Sequence, residues 1–295
     1  MRAAITHEGR LELAERPDPV PAQGELLIRI RAAGINRADL MQVAGHYPPP
    51  PGAPVDIPGL ECAGEVVGTG ERVVALLGGG AHGELAAVDA RHALPVPDGV
   101  DWSSAGGFME AYATAHDALF TQALLLPGER LLVNGAAGGV GTAAVQLGVA
   151  LGAEVTGTAR GNRDRLQALG AATEPHGEYD VILELVGGAN LTEDVALLAP
   201  HGRLAVIGTG AGSRAEIEFG LVMHKRAQIL GSTLRSRSAD EKALVVERLR
   251  EAVLPLFAAG RVTVPVHQTF PLERAPEAYE AFARPGKFGK LVLLP

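Results

Sequence analysis

The chain of 295 residues has 47% hydrophobic and 20% charged residues, a globular composition that excludes a disordered chain. Its net charge of −8 disfavours nucleic-acid binding, which usually needs a basic stripe and a high pI. No apolar run reaches the roughly 18–20 residues of a membrane span, and a single cysteine, Cys62, excludes a disulfide framework and a multi-cysteine zinc site. We expect a cytoplasmic protein of two domains, or one large one, with no nucleic-acid or membrane partner.

The first third of the chain predicts a compact β domain rather than a parallel sheet. Residues 24–35 alternate apolar and charged side chains, as a strand does. Residues 59–77 predict two strands around a Gly-Thr-Gly turn. Six prolines between residues 48 and 58 indicate an extended surface loop between these strands.

From about residue 110 the pattern changes to alternating helices and strands. Residues 110–124 predict a helix that ends at Pro127-Gly128. Near-continuous apolar strands and helices then follow one another, at residues 130–134, 139–152, 154–159, 163–170, 179–186, 191–199, 202–210 and 228–234. This alternation predicts a parallel, doubly wound sheet. A helical stretch at 239–260 follows the last of these strands and ends this region. The strand-like tail from residue 262 is expected to rejoin the first β domain.

A glycine-rich turn follows the first of these apolar strands. Residues 135–141 match the G-x-G-x-x-G fingerprint, with alanine in the place of the first glycine. Gly138 lets the backbone approach a pyrophosphate, and Gly141 lets helix and strand pack closely. The helix N-terminus offers N–H groups and a positive dipole end to phosphates. We therefore predict dinucleotide contacts at Ala137, Gly138, Gly139 and Val140; the alternative is a glycine turn without a ligand.

The end of the next strand predicts which dinucleotide binds. An NAD-specific fold places a carboxylate there to bind the ribose hydroxyls, but this strand ends Thr158-Ala159-Arg160. Arginines at 160 and 163 suit a 2′-phosphate, because the guanidinium supplies fork-shaped cationic donors. We therefore predict NADPH, with Thr158, Arg160 and Arg163 as cofactor-binding residues; the alternative is a solvated helix start.

Four stretches together resemble a medium-chain dehydrogenase/reductase: residues 36–53, 136–147, 233–242 and 288–295. Within that superfamily the chain resembles the zinc-free, zeta-crystallin-like quinone oxidoreductases, and most of all the p53-inducible quinone oxidoreductase type. The resemblance implies an α/β fold of two domains. A GroES-like β-barrel catalytic domain would comprise residues 1–115 and 262–295, and a doubly wound Rossmann domain with strand order 3-2-1-4-5-6 would comprise residues 116–261.

The chain departs from the zinc-dependent members of this superfamily at two ligand positions. Asn36 stands where they carry a cysteine, and Leu60 replaces the histidine of their Gly-His-Glu motif. Neither side chain is a good zinc ligand, so we predict no metal. The chain is also short after Gly170, where relatives carry a tyrosine on a loop that clasps the adenosine phosphate. Whether His176 replaces that tyrosine stays open.

Three residues are candidates for the catalytic site. Tyr47, on the proline-rich loop, would face a quinone with its ring and hydroxyl; the alternative is a packing aromatic. Asn36 would bond near the nicotinamide or the quinone oxygen, although it also directly precedes a helix as an N-cap residue does. Thr114 would touch the nicotinamide side, or only pack within its helix.

Further cofactor contacts are expected after later strands and near the C-terminus. Gly208 and Thr209 follow a strand at the edge where open sheets bind ligands. Leu234 and Arg235 resemble nicotinamide-edge residues, and Lys287 and Phe288 resemble a segment that folds over the cofactor.

These residues predict an enzyme that transfers a hydride from NADPH to a quinone or related electron-poor carbonyl, without zinc. One alternative is an NADPH-dependent enoyl or 2-alkenal reductase, and another is a non-catalytic NADPH-binding stress protein. The substrate is a small quinone or enone in either enzyme. A homodimer is also expected, because strands 202–210 and 228–234 should leave an apolar sheet edge that a second copy covers.

Overall fold

The computed structural model describes residues Met1–Pro295. They form two compact units: Met1–Ala113 together with Leu234–Pro295, and Thr114–Thr233. None of the helices has both the length and the apolar character needed to cross a membrane.

The first unit begins with short strands and three helices. In chain order they are β1 (Arg2–His7), β2 (Arg10–Glu15), β3 (Glu25–Gly34), α1 (Arg37–Val43), β4 (Glu61–Val66), β5 (Arg72–Leu76), β6 (Leu85–Asp89), β7 (Ala93–Pro95), α2 (Trp102–Gly106) and α3 (Met109–His116). The alternation in β3 behaves as predicted, because Ile28 and Ile30 are buried whereas Arg29 and Arg31 are exposed.

The second unit alternates strands and helices. A π-helical segment (Asp117–Gln122) continues α3, and after it come β8 (Arg130–Asn134), α4 (Gly139–Leu151), β9 (Glu154–Thr158), α5 (Arg163–Ala168), β10 (Tyr179–Glu184), α6 (Asn190–Leu197), β11 (Leu198–Val206), α7 (Phe219–Lys225) and β12 (Gln228–Gly231). The strands form one parallel sheet in the order β12-β11-β10-β8-β9. The apolar run at residues 131–133 of β8 is fully buried, as a central parallel strand requires.

The C-terminal part returns to the first unit with α8 (Ala239–Ala252), α9 (Leu254–Ala258), β13 (Val266–Pro271), α10 (Ala275–Ala283) and β14 (Lys290–Leu294). Strand β14 pairs antiparallel with β3, so the tail rejoins the first β domain as predicted. The resulting seven-stranded sheet has the order β13-β14-β3-β4-β5-β7, with β6 on β3, and β1 and β2 form a separate hairpin.

The parallel sheet has five strands, so the expected strand order 3-2-1-4-5-6 is wrong at strand 3. Beyond β9 there is only an isolated bridge between Thr156 and Ala172, with the Gly157 N–H donating to the Ala172 carbonyl at 2.8 Å. The segment between Gly170 and Tyr179 is too short to run along β9 and return. The short segment after Gly170 therefore forms no strand beyond β9.

The expected boundary at residues 261 and 262 also differs from the structure, in which the chain returns to the first unit at Leu234. Helices α8 and α9 therefore belong to the first unit. The Phe257 ring of α9 stacks on Phe108 at 4.4 Å, and a His92 ring nitrogen lies 2.8 Å from the Ala239 carbonyl oxygen. Helical periodicity predicts these helices but not the surface that they cover.

Candidate functional site

The glycine-rich turn between β8 and α4 shows two different uses of glycine. A Cβ added to Gly141 would lie 2.5 Å from the Gly135 carbonyl oxygen, so close packing requires glycine there. Gly138 has a φ of −78°, and a Cβ added there would meet no atom nearer than 3.6 Å. Neither backbone conformation nor internal packing explains glycine at 138, so its bare backbone leaves room for a ligand.

This turn has the features of a phosphate cradle. Ala137, Gly138, Gly139 and Val140 are all partly exposed on it. N–H groups in the first turn of a helix have no intrahelical acceptor and lie at the positive end of its dipole. A dinucleotide pyrophosphate fits such a group of donors.

Thr158 helps to shape this turn. Its carbonyl oxygen accepts hydrogen bonds from the N–H groups of Gly135 at 3.1 Å and Ala136 at 2.9 Å. Its hydroxyl donates to Oδ1 of Asn134 at 2.8 Å. Thr158 therefore ties the end of β9 to the turn after β8, and its direct contact with a cofactor stays a prediction.

Two further loops meet at the same edge of the sheet, after β10 and β11. A Cβ on Gly208 would lie 2.4 Å from the Leu185 carbonyl oxygen, and one on Gly187 would lie 2.6 Å from Cα of Thr209. Thr209 itself is exposed. The carboxyl ends of parallel strands share one edge, so Gly208 and Thr209 lie at the edge that carries the glycine-rich turn.

A buried carboxyl pair supports that edge. Nδ2 of Asn134 donates to Glu184 Oε2 at 2.8 Å and to Asp194 Oδ1 at 2.7 Å. Glu184 Oε1 also accepts from the N–H of Gly187 at 2.7 Å. Burial, together with the neighbouring Glu184, raises the pKa of Asp194 to about 8. Asp194 is therefore protonated at neutral pH.

The two arginines predicted to bind a 2′-phosphate differ in their surroundings. Arg160 is exposed just beyond the end of β9. Arg163 forms an exposed ion pair with Glu174, a carboxylate that the sequence interpretation did not consider. Since Glu174 offsets the charge of Arg163, Arg160 is the stronger candidate for phosphate binding.

The first unit holds a separate network around Asn36. Asn36 is the N-cap of α1, where its backbone N–H donates to Oδ2 of Asp39 at 2.7 Å. Its side-chain Nδ2 donates to Glu61 Oε1 at 2.9 Å, and its Oδ1 accepts from Lys290 Nζ at 2.6 Å. Lys290 also donates to Glu61 Oε1 at 2.6 Å. The capping interpretation is therefore confirmed, and the amide is fixed between a buried carboxylate and a buried ammonium.

Glu110, at the start of α3, lies beside this network. Its backbone N–H donates to Glu61 Oε2 at 2.9 Å. Burial, and then the nearby Glu61 carboxylate, raise the pKa of Glu110 to about 8. The half-buried side chain of Glu110 is therefore a carboxylic acid, and a potential proton donor, at neutral pH.

Tyr47 is half-buried and stands next to an arginine. The Arg235 guanidinium carbon lies 5.2 Å from the centroid of the Tyr47 ring. Burial raises the pKa of the Tyr47 hydroxyl, and Arg235 opposes that rise. The ring is thus neither a core aromatic nor a freely exposed one.

The remaining predicted site residues are placed as follows. Leu234 is buried, Phe288 is 2% exposed, and Lys287 donates to the Phe282 carbonyl at 2.8 Å near the end of α10. Thr114 is half-buried on α3. Cofactor or substrate contacts of these four residues stay predictions.

The side chains at the positions of the zinc ligands do not fit a zinc ion. Leu60 is buried and has no donor atom, and Asn36 and Glu61 both bond to the Lys290 ammonium. No group of three or more histidine, cysteine, aspartate or glutamate side chains is arranged to hold a metal. A fixed ammonium therefore supplies the local positive charge.

Sequence reasoning missed four functional candidates: Glu61, Glu110, Lys290 and a structural role for Arg235. Glu61 and Lys290 each stand in a strand-like run that is otherwise largely apolar. A charge in such a run signals a buried partner, because an unpaired buried charge is costly. Nothing in the linear sequence connects Glu61 with Lys290, which is 229 residues away.

Comparison with known proteins agrees with this architecture. The alcohol dehydrogenase GroES-like domain family matches residues 22–98, and the zinc-binding dehydrogenase family matches residues 151–293. The expected α/β fold, with a GroES-like domain and a Rossmann-type sheet, is confirmed. A solved structure, the quinone oxidoreductase of Thermus thermophilus, also described in its complex with NADPH, superposes with a TM-score of 0.89 at 32% identity, covering 100% of both chains.

Among curated proteins, the quinone oxidoreductase of Lama guanicoe is 30% identical, with 94% of this chain and 90% of that protein covered. The polyketide synthase GfsB of Streptomyces halstedii is 34% identical over 92% of this chain, which spans only 5% of the synthase. With both parts of its fold matched and a full-length relative at this identity, the chain belongs to the medium-chain dehydrogenase/reductase superfamily.

Proposed function

We propose that this protein is an oxidoreductase that uses NADPH to reduce a quinone or a related electron-poor carbonyl compound, without zinc. The observation that carries the proposal is the bonding of Asn36 and Glu61 to the Lys290 ammonium. With no donor set for a metal, the chemistry left to the chain is hydride transfer to an acceptor that needs no Lewis acid. The similarity to quinone oxidoreductases supports that choice of acceptor.

NADPH would be held by the second unit. The turn at residues 137–140 would bind the pyrophosphate, and Arg160 would bind the 2′-phosphate, since no carboxylate at the end of β9 competes for the ribose. The bound nicotinamide supplies the hydride. Asn134 and Thr158 keep the turn and the end of β9 in register for that binding.

In the first unit, Tyr47 would face the acceptor with its ring, and Asn36 would act by fixing Lys290 and Glu61. Both polar groups of the Asn36 amide are bonded inside the protein, so a direct hydrogen bond to substrate is not its main role. A reduced quinone oxygen takes its proton from water, so quinone reduction requires no acid from the protein.

Reduction of an enone is the second candidate, and Glu110 favours it. Adding hydride to the β-carbon of an enone leaves an enolate whose α-carbon must be protonated. A carboxylic acid with a pKa of about 8 suits that step at neutral pH, because it carries its proton and is not too weak an acid to release it. Glu110 would then lose the proton to the enolate and regain it from water.

The decisive experiment is a screen of NADPH oxidation against ortho-quinones, para-quinones and enones, with product analysis. Turnover of quinones, unaffected by Glu110→Gln, supports quinone reduction. Turnover of enones to saturated carbonyls, with loss of activity in Glu110→Gln, supports the second candidate. NADPH binding with no turnover on the whole panel would contradict both and indicate a non-catalytic NADPH-binding protein.

We also propose a homodimer, in a cytoplasmic setting that keeps the buried Cys62 reduced. Strand β12 is an edge of the parallel sheet, with Ile229 40% exposed, and Phe219 and Met223 of the preceding α7 are 71% and 76% exposed. An apolar edge of this kind is stabilised by pairing with a second copy. Light scattering should give twice the mass of one chain, and Met223→Glu should shift it towards the monomer; a monomer of the unmodified protein at micromolar concentration would contradict the proposal.

A further inference from the structure

The loop that carries Tyr47 has few hydrogen bonds of its own. Residues 48–51 are prolines and have no N–H to donate. A backbone hydrogen bond from Ala53 to Pro50, at 3.1 Å, closes a turn inside the loop. The loop is tied to the rest of the unit at its far end, where the Val55 carbonyl accepts from Nε2 of Gln42 at 3.3 Å and the Asp56 carbonyl accepts from the Thr6 N–H at 2.7 Å. Stiff backbone dihedrals alone therefore do not fix where Tyr47 lies.

Arg235 adds an attachment at Tyr47 itself. Its Nη1 donates to the carbonyl oxygen of Tyr47 at 3.0 Å, and its Nε donates to the carbonyl oxygen of Gly78 at 2.9 Å. Its Nη2 donates to Oε1 of Gln42 on α1. One guanidinium thus joins the neighbouring α1 and Tyr47 loop to the turn at Gly78, which is about 30 residues further along the chain.

The same segments also pack against one another through glycines. A Cβ on Gly78 would lie 2.9 Å from Cγ of Pro50, and one on Gly80 would lie 3.1 Å from Cγ of Pro54. The proline-rich loop therefore rests on the turn at 78–80. Because Arg235 holds both the loop and this turn, losing its hydrogen bonds would loosen the contact from both sides.

The hydrogen bonds at this position require the guanidinium of arginine, and another cationic side chain would not replace it. Arg235 is 4% exposed, and its three acceptors are neutral oxygens in different directions. Its planar group also lies over the Tyr47 ring. A lysine ammonium would keep the charge but would lose the fork of donors and the stacking surface.

We propose that Arg235 is the positioning residue of the Tyr47 loop and thereby determines how the acceptor substrate is recognised. The part concerning the substrate rests on the proposed function, whereas the attachment of the loop does not. The resemblance to nicotinamide-edge residues assigns Arg235 to the cofactor; the contacts made by its side chain assign it to the substrate loop.

The first test measures the loop without any substrate. Amide hydrogen exchange of residues 45–56 is compared between the unmodified protein and Arg235→Lys, with the exposed Arg274→Lys, whose partner is Glu277, as a matched control. We expect exchange in the loop to quicken about tenfold in Arg235→Lys, the scale of one lost charge-assisted hydrogen bond, and to stay unchanged in the control. Unchanged exchange in Arg235→Lys would overturn the proposal.

The second test is a double-mutant cycle with an acceptor from the screen. Arg235→Lys should raise KM for the acceptor about tenfold and change the Kd of NADPH, measured by fluorescence, by less than about twofold. In a Tyr47→Ala background, Arg235→Lys should raise KM no further, because the positioned ring is already absent.

An equal further rise of KM in that background, or a comparable loss of NADPH affinity, would contradict the positioning role. If no acceptor is turned over at all, the proposed function fails, and hydrogen exchange alone still decides whether Arg235 holds the loop.

Discussion

The candidate sites of the two units consist of different kinds of chemical group. In the second unit the ligand edge consists of backbone: bare glycines, N–H groups at a helix terminus and loops that meet glycine against glycine. In the first unit the Tyr47 and Asn36 regions consist of side chains, with Lys290 and Arg235 joining segments far apart in the chain. Local backbone motifs can be recognised in a sequence, whereas long-range charge networks cannot.

Removing the charge of Lys290 is expected to have the largest effect on stability. Lys290→Met leaves Glu61, which is 0% exposed, without its cationic partner. Breaking one side of a buried ion pair costs about 3–5 kcal/mol, so the first unit should unfold at much lower denaturant concentration. Adding Glu61→Gln to Lys290→Met should restore part of the loss, because no buried charge then remains. If the double variant is no more stable than Lys290→Met, the network is not the source of the loss.

Two glycines of the glycine-rich turn should have different roles: Gly141 in stability and Gly138 in cofactor binding. Gly141→Ala places a Cβ against the Gly135 carbonyl and should lower the free energy of unfolding by about 1–3 kcal/mol. Gly138→Val should leave the melting temperature nearly unchanged, since a Cβ there meets no atom nearer than 3.6 Å, yet weaken NADPH binding at least about tenfold. Calorimetry and fluorescence titration measure the two quantities. Equal loss of stability in both variants would show that Gly138 is a packing glycine.

The sequence predicts most strands and helices of the Rossmann-type unit, because each carries its own periodicity and stop signals, but it does not predict α7. The prediction fails after Gly170, because the segment before β10 is too short to form the expected strand. It also assigns α8 and α9 to the wrong unit, because periodicity does not show which surface a helix packs against. In the site the sequence predicts the glycine-rich turn at 135–141 and the N-cap at Asn36, and it places Tyr47 on a surface loop, where the structure has the side chain half-buried. It does not reveal that Glu174 offsets Arg163 or that Arg235 holds the Tyr47 loop.

Arg160 and Arg163 are the charged side chains next to the glycine-rich edge of the second unit, and they predict which cofactor binds there. Arg160→Glu should reduce or reverse a preference for NADPH over NADH of about 10- to 100-fold, the scale of one charge-assisted hydrogen bond. Arg163→Glu should have a smaller effect, because Glu174 already offsets its charge. Kd values for both cofactors at low and high salt provide the measurement. Equal affinity of the unmodified protein for NADPH and NADH at low salt would show that these arginines are only a solvated helix start.

The pKa of Asp194, which lies beside Glu184, predicts that the stability of the protein depends on pH. Asp194 keeps its proton up to about pH 8 in the folded protein but loses it near pH 4 when unfolded. Between these values folding retains a proton, so its contribution to stability falls as pH rises, by at most about 1.4 kcal/mol per pH unit, and then levels off. Asp194→Asn should remove that slope, which denaturant titrations between pH 5 and pH 9 would measure. Parallel pH curves for the two proteins would contradict a protonated Asp194.

The central claim is that the protein reduces its acceptor without a metal, because Asn36 and Glu61 bond to Lys290 and Leu60 offers no donor. The most direct measurement is quinone-dependent NADPH oxidation by protein whose metal content has been determined before and after treatment with a chelator. We predict full turnover at well below one zinc per chain, unchanged after chelation. Stoichiometric zinc that is removed together with the activity, and restores it when added back, would contradict the account.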